Sequence, residues 1–321
     1  MTVFYDVFNG DADGICALHQ LRLSEPRASV LITGVKRDIA LLERVKADAG
    51  DEVTVCDISL ARNSAALHQL LARGATCRYF DHHFAGEVPL HPNLKTHIDT
   101  SPGTCTSLIV DRYLEGSHKA WAVVAAFGDN LPEAARAAAV SLKLNELQLL
   151  QLMELGECIN YNAYGERIDD LHYEPADLYE TLARYRDPFQ FMTGEPVFDI
   201  LRAGRADDLY RASEIAPVIE TSAHSVYVLP DAAWTRRVNG EFANRLANME
   251  PTRAHAVLTR RSGGYAVSVR APRAHPYGAD QLCRQFPDSG GRQGAAGINF
   301  LQEADYDRFI GALKAAYGSA K

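Results

Sequence analysis

Four groups of acidic, amide or imidazole side chains each stand directly after an apolar run, and their types and spacing could do chemistry. Carboxylates that crowd together repel one another and resist ionisation, and a bound divalent cation removes that cost. Several carboxylates with one or two imidazoles form a mixed ligand set that suits Mn²⁺, with Mg²⁺ or another divalent first-row ion as alternatives. The groups contain, in chain order, Asn9, Asp11, Asp13, Asp57, Asp81, His82, His83 and Asp129.

The set contains enough ligands for two ions. Two ions about 3.5–4 Å apart can hold a nucleophilic water and neutralise a phosphoryl oxygen and a leaving oxygen, which is typical of phosphoester hydrolysis. The first group also fits the beginning of an EF-hand calcium loop, but Gln20 stands where that loop requires a bidentate Glu. Taken singly, an Asp pair is typical of a helix N-cap and a His pair of a surface turn. Their shared placement after apolar runs favours a metal site.

Strands and helices alternate in the first part of the chain and must position these groups. This alternation is typical of a mainly parallel sheet with helices on both faces, a doubly wound α/β fold. Since the carboxyl ends of parallel strands meet at one edge of the sheet, we expect the polar groups to lie together there. Apolar runs predict strands at residues 3–8, 29–33, 53–56 and 75–80, and helical spacing predicts helices at 13–23, 39–47 and 61–72.

The last part of the chain differs in pattern and in charge. Residues 223–321 contain 11 Arg and 2 Lys against 8 Asp and Glu, a net charge of +5, so the preceding residues must carry −13 to give the total of −8. An acidic part can hold cations, whereas guanidinium groups match phosphate oxygens. The prolines and the charge shift predict a metal-binding catalytic domain at 1–186, a helical linker at 187–222 and a smaller α/β domain at 223–321.

A glycine-rich segment lies near the end of the chain, with the sequence Ser-Gly-Gly-Arg-Gln-Gly-Ala-Ala-Gly over residues 289–297. Glycines let backbone N–H groups approach a phosphate or a base closely. We predict that the segment is a loop between a helix and a strand, and a flexible turn without a function is the alternative. Arg270 at a strand end and Arg292 in the segment are candidate phosphate ligands.

The order of these motifs resembles the DHH phosphoesterase superfamily with its DHH-associated C-terminal domain. The matching motifs are Asp-x-Asp-Gly at 11–14, Asp57, Asp-His-His at 81–83, Asp129 and Gly-Gly-x-x-x-Ala-Ala-Gly at 290–297. Members include RecJ-type exonucleases, nano-RNases, phosphoadenosine phosphatases, cyclic-dinucleotide phosphodiesterases and short-chain exopolyphosphatases. The resemblance implies two Mn²⁺ ions in a cleft between a doubly wound domain and the smaller C-terminal domain.

The resemblance also implies a role for each candidate residue. Asp57 would bridge both ions, and His83 would contact the scissile phosphate or help to protonate the leaving group. No protein general base is expected, because a metal-bridging hydroxide can attack. The implied metal ligands are Asp11, Asp13, Asp57, His82 and Asp129, with Asn9 and Asp81 supporting them. The implied substrate-binding residues are Arg270, Gly290, Gly291, Arg292, Ala295, Ala296 and Gly297.

Two positions depart from the pattern of the superfamily. Many nano-RNase-like members carry a His just ahead of the Asp pair, where this chain has Val7 and Asn9. RecJ-type sequences also lack that His, but they usually carry an acid near position 9. Asn9 either ligates through its carbonyl oxygen or orients Asp11. The glycine-rich segment usually has a His where Arg292 stands, and this segment often selects the substrate.

A two-domain chain of this size predicts a small substrate, since it lacks the extra domains of long-strand exonucleases. We expect hydrolysis of short 5′-phosphorylated oligonucleotides, best linear dinucleotides such as pGpG, because an arginine pocket holds a terminal phosphate at a fixed distance from the scissile one. A phosphatase of 3′-phosphoadenosine 5′-phosphate or of short-chain polyphosphate is one alternative. A non-catalytic nucleotide-binding regulatory module is the other.

The remaining expectations concern partners and location. A net charge of −8 argues against binding to long duplex nucleic acid. The longest apolar stretch is too short to cross a bilayer, so no membrane partner is expected. Six scattered cysteines without a CxxC pair, and an N-terminus without a signal peptide pattern, predict a cytoplasmic protein. The family resemblance is compatible with a homodimer.

Overall fold

The computed structural model of the chain describes residues 1–318, which divide into two units near residue 204. The first unit comprises Met1–Gly204, and the second begins at Arg205. This division falls within the predicted linker of residues 187–222. Residues 319–321 of the predicted C-terminal domain lie outside the described residues.

A five-stranded parallel sheet forms the centre of the first unit, in the strand order β2–β1–β3–β4–β5. The parallel sheet predicted from the alternating pattern is therefore confirmed. One strand, β5, was not predicted, because its short sequence contains no apolar run and its residues are partly exposed. The strands are β1 Phe4–Phe8, β2 Val30–Ile32, β3 Glu52–Cys56, β4 Thr76–Asp81 and β5 Leu94–Ile98.

Helices cover both faces of this sheet because successive strand residues point to opposite sides. Phe8 and Phe80 pack into one buried cluster with α1, α3, α4 and α6, whereas Val7 and Tyr79 pack into another with α2. The helices of the first unit are α1 Ala12–Ser24, α2 Leu60–Ala72, α3 Thr106–Tyr113, α4 Lys119–Gly128, α5 Pro132–Ala139, α6 Glu146–Asn162, α7 Pro175–Leu182 and α8 Pro188–Gly194, and α9 Val197–Ser213 runs through the division.

The helix predicted at residues 39–47 is wrong. The structure has only a 3₁₀ turn there, Leu41–Arg44. Leu41, Leu42 and Val45 are buried in the second cluster, and one 3₁₀ turn is enough to bring them to the sheet.

The second unit is built on a six-stranded mixed sheet in the order β10–β11–β9–β8–β7–β6. Only β7 and β8 pair in parallel, and the other neighbours are antiparallel. The predicted smaller α/β unit is therefore confirmed. Its elements are β6 Ile219–Glu220, β7 His224–Leu229, α10 Ala233–Met249, β8 Ala254–Arg261, β9 Gly264–Arg270, α11 Ala279–Cys283, β10 Ser289–Arg292, β11 Ala295–Gln302 and α12 Tyr306–Tyr317.

The glycine-rich segment forms a β-hairpin instead of the predicted loop. Strand β10 pairs antiparallel with β11, so that Gly290 faces Gly297 and Gly291 faces Ala296. Gly291 has a φ of 135°, and a Cβ there would lie 2.4 Å from the Ala296 Cα. Glycine disfavours strands locally, but pairing with β11, which itself pairs with β9, satisfies the backbone of the segment. We call residues 289–302 the glycine-rich hairpin.

Within residues 1–318, no helix combines the length and the apolar character that crossing a bilayer requires.

Candidate metal centre

The strand order of the first sheet brings three of the four polar groups to one edge. Strands β1, β3 and β4 are neighbours in that order, and the groups follow each of them at its carboxyl end. Asp129 does not follow a strand, because the apolar run before it is helix α4. It still lies close to the other groups, with its Oδ2 atom 3.9 Å from the Nε2 atom of His82. We call Asp11, Asp13, Asp57, Asp81, His82, His83 and Asp129 the strand-end cluster.

Asp11 lies at the turn from β1 into α1 and caps that helix. Its Oδ1 atom accepts hydrogen bonds from the backbone N–H groups of Asp13 and Gly14, at 3.0 Å each. A Cβ at Gly14 would lie 2.2 Å from the carbonyl oxygen of Asn9, so the tight turn requires glycine. This geometry explains the Asp-x-Asp-Gly spacing and buries the carboxylates of Asp11 and Asp13.

Asp13 is held by the beginning of helix α3, which the sequence analysis did not connect with the site. Its two carboxylate oxygens accept the backbone N–H groups of Thr106 and Ser107, both at 2.7 Å. The Thr106 hydroxyl also donates to Oδ1 of Asp57, at 3.1 Å. A Thr-Cys-Thr-Ser sequence before an apolar periodic stretch is a helix-start signal that could have identified this segment.

Asp57 follows β3 in a left-handed conformation, with a φ of 60°. Its backbone N–H donates to the carbonyl oxygen of Phe80 on the neighbouring strand, at 3.0 Å, and its side chain is 3% exposed. A residue other than glycine in this region is strained, and such strain persists where surrounding contacts impose it. The strand-to-helix turn therefore directs this carboxylate into the cluster at a conformational cost.

The two histidines of the Asp-His-His motif have different partners. His82 donates from Nδ1 to the carbonyl oxygen of Thr104, at 3.0 Å, which leaves Nε2 as an acceptor. That Nε2 atom lies 3.4 Å from Oδ1 of Asp57 and 3.9 Å from Oδ2 of Asp13. His83 donates from Nδ1 to Oδ1 of the fully buried Asp81, at 2.8 Å. The Nε2 atom of His82 thus points toward the carboxylates of Asp13 and Asp57, whereas the ring of His83 is oriented by the carboxylate of Asp81.

The electrostatics of the cluster favour a cation. Burial raises the pKa of Asp57 well above its ordinary value, and the neighbouring charges of Asp11 and Asp13 add to this effect. Burial and the charge of Asp13 raise the pKa of Asp129 to about 6. Donor atoms in two groups lie within 4.8 Å of one another, a spacing at which one ion can bind all three: Asp57, His82 and His83, and Asp13, His82 and Asp129. The residues present therefore fit a divalent metal ion.

Lys36 is a further residue of the site that the sequence analysis missed. Its Nζ atom lies 2.6 Å from Oδ2 of Asp11, 3.1 Å from Oδ1 of Asn160 and 3.9 Å from Oδ1 of Asp129. Burial opposes ionisation of Asp11, but the Lys36 ammonium outweighs it and holds the pKa of Asp11 below its ordinary value. No local pattern marks this lysine, since it follows β2 in a loop and reaches the cluster only in the folded chain.

Asn9 orients its neighbours through its side-chain amide. The Oδ1 atom accepts the backbone N–H of Asp11, at 3.2 Å, and Nδ2 donates to the carbonyl oxygen of Lys36, at 3.3 Å. Of the two roles that the sequence left open, the observed contacts match the orientation of Asp11.

The predicted substrate-binding residues lie together in the second unit, on strands β9, β10 and β11. Arg270 pairs in register with Ala295, and its guanidinium donates from Nε to Oδ1 of Asn244, at 2.6 Å, and from Nη2 to the carbonyl oxygen of Gly240, at 3.2 Å. Arg292 ends β10 with an exposed side chain. Arg292 of the hairpin is thus exposed, whereas Arg270 on the neighbouring strand β9 is held against α10.

Comparisons with known proteins identify relatives by fold. No family model and no curated protein sequence matches the chain. A crystal structure of the exonuclease RecJ bound to manganese superposes with a TM-score of 0.64 at 19% identity, over 97% of this chain and 89% of that chain. RecJ from Thermus thermophilus in complex with Mn²⁺ gives 0.61 at 19% identity, and the match covers 97% of this chain but only 51% of that longer protein.

A third solved structure has a small nucleotide substrate, pGpG, in its name. The pGpG-specific phosphodiesterase PggH from Vibrio cholerae superposes with a TM-score of 0.56 at 12% identity, over 98% of this chain and 100% of that one. The predicted fold, a mainly parallel α/β unit followed by a smaller α/β unit, is therefore confirmed for this chain. The chain therefore shares its fold with the RecJ and PggH structures over nearly its whole length.

Proposed function

We propose that this protein is a metal-dependent phosphodiesterase that hydrolyses short 5′-phosphorylated oligonucleotides, with linear dinucleotides such as pGpG as its best substrates. The observation that carries the proposal is the convergence of three carboxylates on one imidazole: oxygens of Asp13, Asp57 and Asp129 lie 3.9, 3.4 and 3.9 Å from the Nε2 atom of His82. The fold shared with RecJ and with a pGpG-specific phosphodiesterase supports the reaction class.

In this proposal, Asp13, Asp57, His82 and Asp129 hold the metal, with Mn²⁺ as the expected ion. A divalent ion at this position polarises a phosphoryl oxygen and lowers the pKa of a bound water. The chain supplies the ligand geometry in advance, because Thr106 and Ser107 fix both oxygens of Asp13 and Thr104 fixes the tautomer of His82.

His83 acts on the leaving group. Burial disfavours the imidazolium, but the hydrogen bond and the charge of Asp81 outweigh it and raise the pKa of His83. With Nδ1–H held by Asp81, Nε2 carries the second proton. The attacking water gives one proton to solvent as its oxygen bonds to phosphorus, the bond to the 3′-oxygen breaks, and the Nε2 proton passes to the departing oxygen. Solvent then returns a proton to His83. Two mononucleotides result from a dinucleotide.

The glycine-rich hairpin binds the rest of the substrate. The exposed guanidinium of Arg292 can pair with the terminal 5′-phosphate through two parallel hydrogen bonds. Gly290 and Gly291 are exposed on the same strand, so no side chain there separates a ligand from the backbone. The expectation that the substrate lies in a cleft between the two domains stays a prediction.

The test is product formation from pGpG by the purified protein with Mn²⁺, beside 3′-phosphoadenosine 5′-phosphate and short-chain polyphosphate. Each substrate has a chelator control, and Asp57→Asn protein purified in parallel excludes a contaminating nuclease. We expect chelator-sensitive release of GMP. Orthophosphate release from another substrate, without turnover of pGpG, would move the function to a phosphatase. Nucleotide binding without turnover of any substrate would leave a regulatory module.

A further inference from the structure

The Lys36 ammonium lies inside a site whose carboxylates the sequence assigns to two metal ions. We propose that the site holds a single divalent cation, at Asp13, Asp57, His82 and Asp129, and that Lys36 occupies the place of a second ion beside Asp11. This inference rests on the metal-binding part of the proposed function and concerns the number of ions.

The acceptor capacity of Asp11 is the first argument. An ionised carboxylate offers about four lone-pair sites. Two of them, on Oδ1, accept the backbone N–H groups of Asp13 and Gly14, and Oδ2 accepts from the Lys36 ammonium. Asp11 is accordingly absent from both groups of donor atoms that have the spacing of ligands around one ion. The Lys36 ammonium already provides the positive charge that pairs with Asp11.

Asn9 provides the second argument, because it is the other residue that a second ion beside Asp11 would need. Its carbonyl oxygen accepts the backbone N–H of Asp11, and its amide nitrogen donates to the carbonyl oxygen of Lys36. Asn9 brings no charge to the site and is 5% exposed, so it has little freedom to turn toward an ion. The Asn9 side chain thus holds the backbone of both Asp11 and Lys36, the two residues that form the ion pair.

The third argument is that the position of Lys36 is built into the fold. Its backbone N–H donates to the carbonyl oxygen of Ala163, at 2.9 Å, while Asn9 holds its carbonyl group. Asn160 accepts from the ammonium, and the ring of Tyr164 lies 5.5 Å from Nζ. Because both the backbone and the ammonium of Lys36 have fixed partners, its ion pair with Asp11 is better ordered than the ion pair of an exposed surface lysine.

Repulsion between cations completes the argument. An ion bound to Oδ2 of Asp11 at an ordinary metal–oxygen distance of about 2.1 Å would lie within about 5 Å of the ammonium nitrogen. Two ions tolerate a shorter separation where carboxylates bridge and neutralise both, whereas here the single charge of Asp11 would be shared with an ammonium in a largely buried site. Asp129 is more distant from Lys36, at 3.9 Å, and its carboxylate is available to an ion beside His82.

The experiment counts Mn²⁺ per chain without substrate, by elemental analysis after equilibrium dialysis and by electron paramagnetic resonance. We expect one ion in the wild type, with the spectrum of an isolated Mn²⁺. Lys36→Ala should bind two ions and show a spin-coupled pair, because Asp11 is released. Lys36→Arg keeps the charge and should bind one, as should the control Lys46→Ala, which removes an exposed lysine.

Each result decides the inference. Two ions in the wild type would overturn it and leave the proposed function intact. One ion in folded Lys36→Ala would show that Lys36 does not exclude the second ion, which also overturns it. No bound ion in any variant would remove the metal site and the proposed function together. If Lys36→Ala does not fold, Lys36→Gln removes the charge and keeps a donor for Asp11, and it should bind two ions, whereas one ion would overturn the inference.

Discussion

The strand-end cluster and the glycine-rich hairpin are both rich in polar groups, but they differ in burial. Asp11, Asp13 and Asp57 are 2%, 1% and 2% exposed, and each has fixed hydrogen-bond partners. Gly290 and Arg292 of the hairpin are exposed. Buried groups with fixed partners stabilise a transition state without reorganising, whereas an exposed arginine must be ordered by what it binds. We therefore expect the cluster to control turnover and the hairpin to control affinity.

The two regions also differ in conformational cost. Asp57 has a positive φ at a position where a carboxylate is required, so its strain is retained at the site. In the hairpin, the positive φ falls on Gly291, which adopts it without a Cβ penalty. In the proposed function, the strained residue would thus belong to the metal site, and the unstrained glycine would belong to the substrate-binding hairpin.

The largest expected effect comes from the centre of the cluster. Asp57→Asn should lower kcat/KM for pGpG by more than about 100-fold, because it removes a negative ligand that faces His82. Steady-state kinetics at saturating Mn²⁺ measure this effect. Asp48→Asn, at an exposed position, is the matched control. Retention of more than a few per cent of the wild-type rate would exclude Asp57 from metal binding.

Loss of the His83 imidazole, beside the proposed metal site, should have the next largest effect. His83→Ala should lower kcat by about 100-fold, the contribution of a general acid, while the Mn²⁺ content stays unchanged. The matched control is His68→Ala, which removes an exposed histidine of α2. If the Mn²⁺ content falls together with the rate, His83 is a ligand and not an acid.

Acid should weaken the metal site through the two carboxylates whose pKa values are raised. Asp129 has a pKa of about 6, and the pKa of Asp57 is also above its ordinary value, so both take up protons as the pH falls. A protonated carboxyl group cannot ligate, and each competing proton costs about tenfold in affinity per pH unit. Calorimetric Mn²⁺ titrations should therefore show weaker binding below about pH 6. An affinity that is unchanged down to about pH 5 would contradict this coupling.

The smallest effect is expected from a substitution in the hairpin. It should separate the expected role of the hairpin in affinity from that of the strand-end cluster in turnover. Arg292→Ala should raise KM for 5′-phosphorylated dinucleotides by about tenfold and leave kcat unchanged, because an exposed charged hydrogen bond contributes to binding alone. Arg284→Ala removes another exposed arginine of the second unit and serves as the control. A loss confined to kcat would place Arg292 in the chemistry.

The fold could be predicted from the sequence where the local pattern and the tertiary contacts agree. Strands β1, β3 and β4 have buried apolar side chains on both faces, and each face packs into one of the two buried clusters. The pattern failed at the edge strand β5, at the 3₁₀ turn Leu41–Arg44 and in the glycine-rich hairpin. In these places, pairing and packing with distant residues outweighed a weak local preference.

The sequence by itself determined that the groups after β1, β3 and β4 meet, because groups that follow neighbouring parallel strands must share one edge of the sheet, whereas Asp129 reaches them from the end of helix α4. The order of those groups also indicated the fold that the chain shares with the RecJ and PggH structures. Only the tertiary structure decided which cation each carboxylate faces. Asp11 pairs with Lys36, 25 residues away in the chain, whereas Asp57 and Asp129 face His82. Loop contacts across the fold place that lysine, and no local periodicity encodes such contacts.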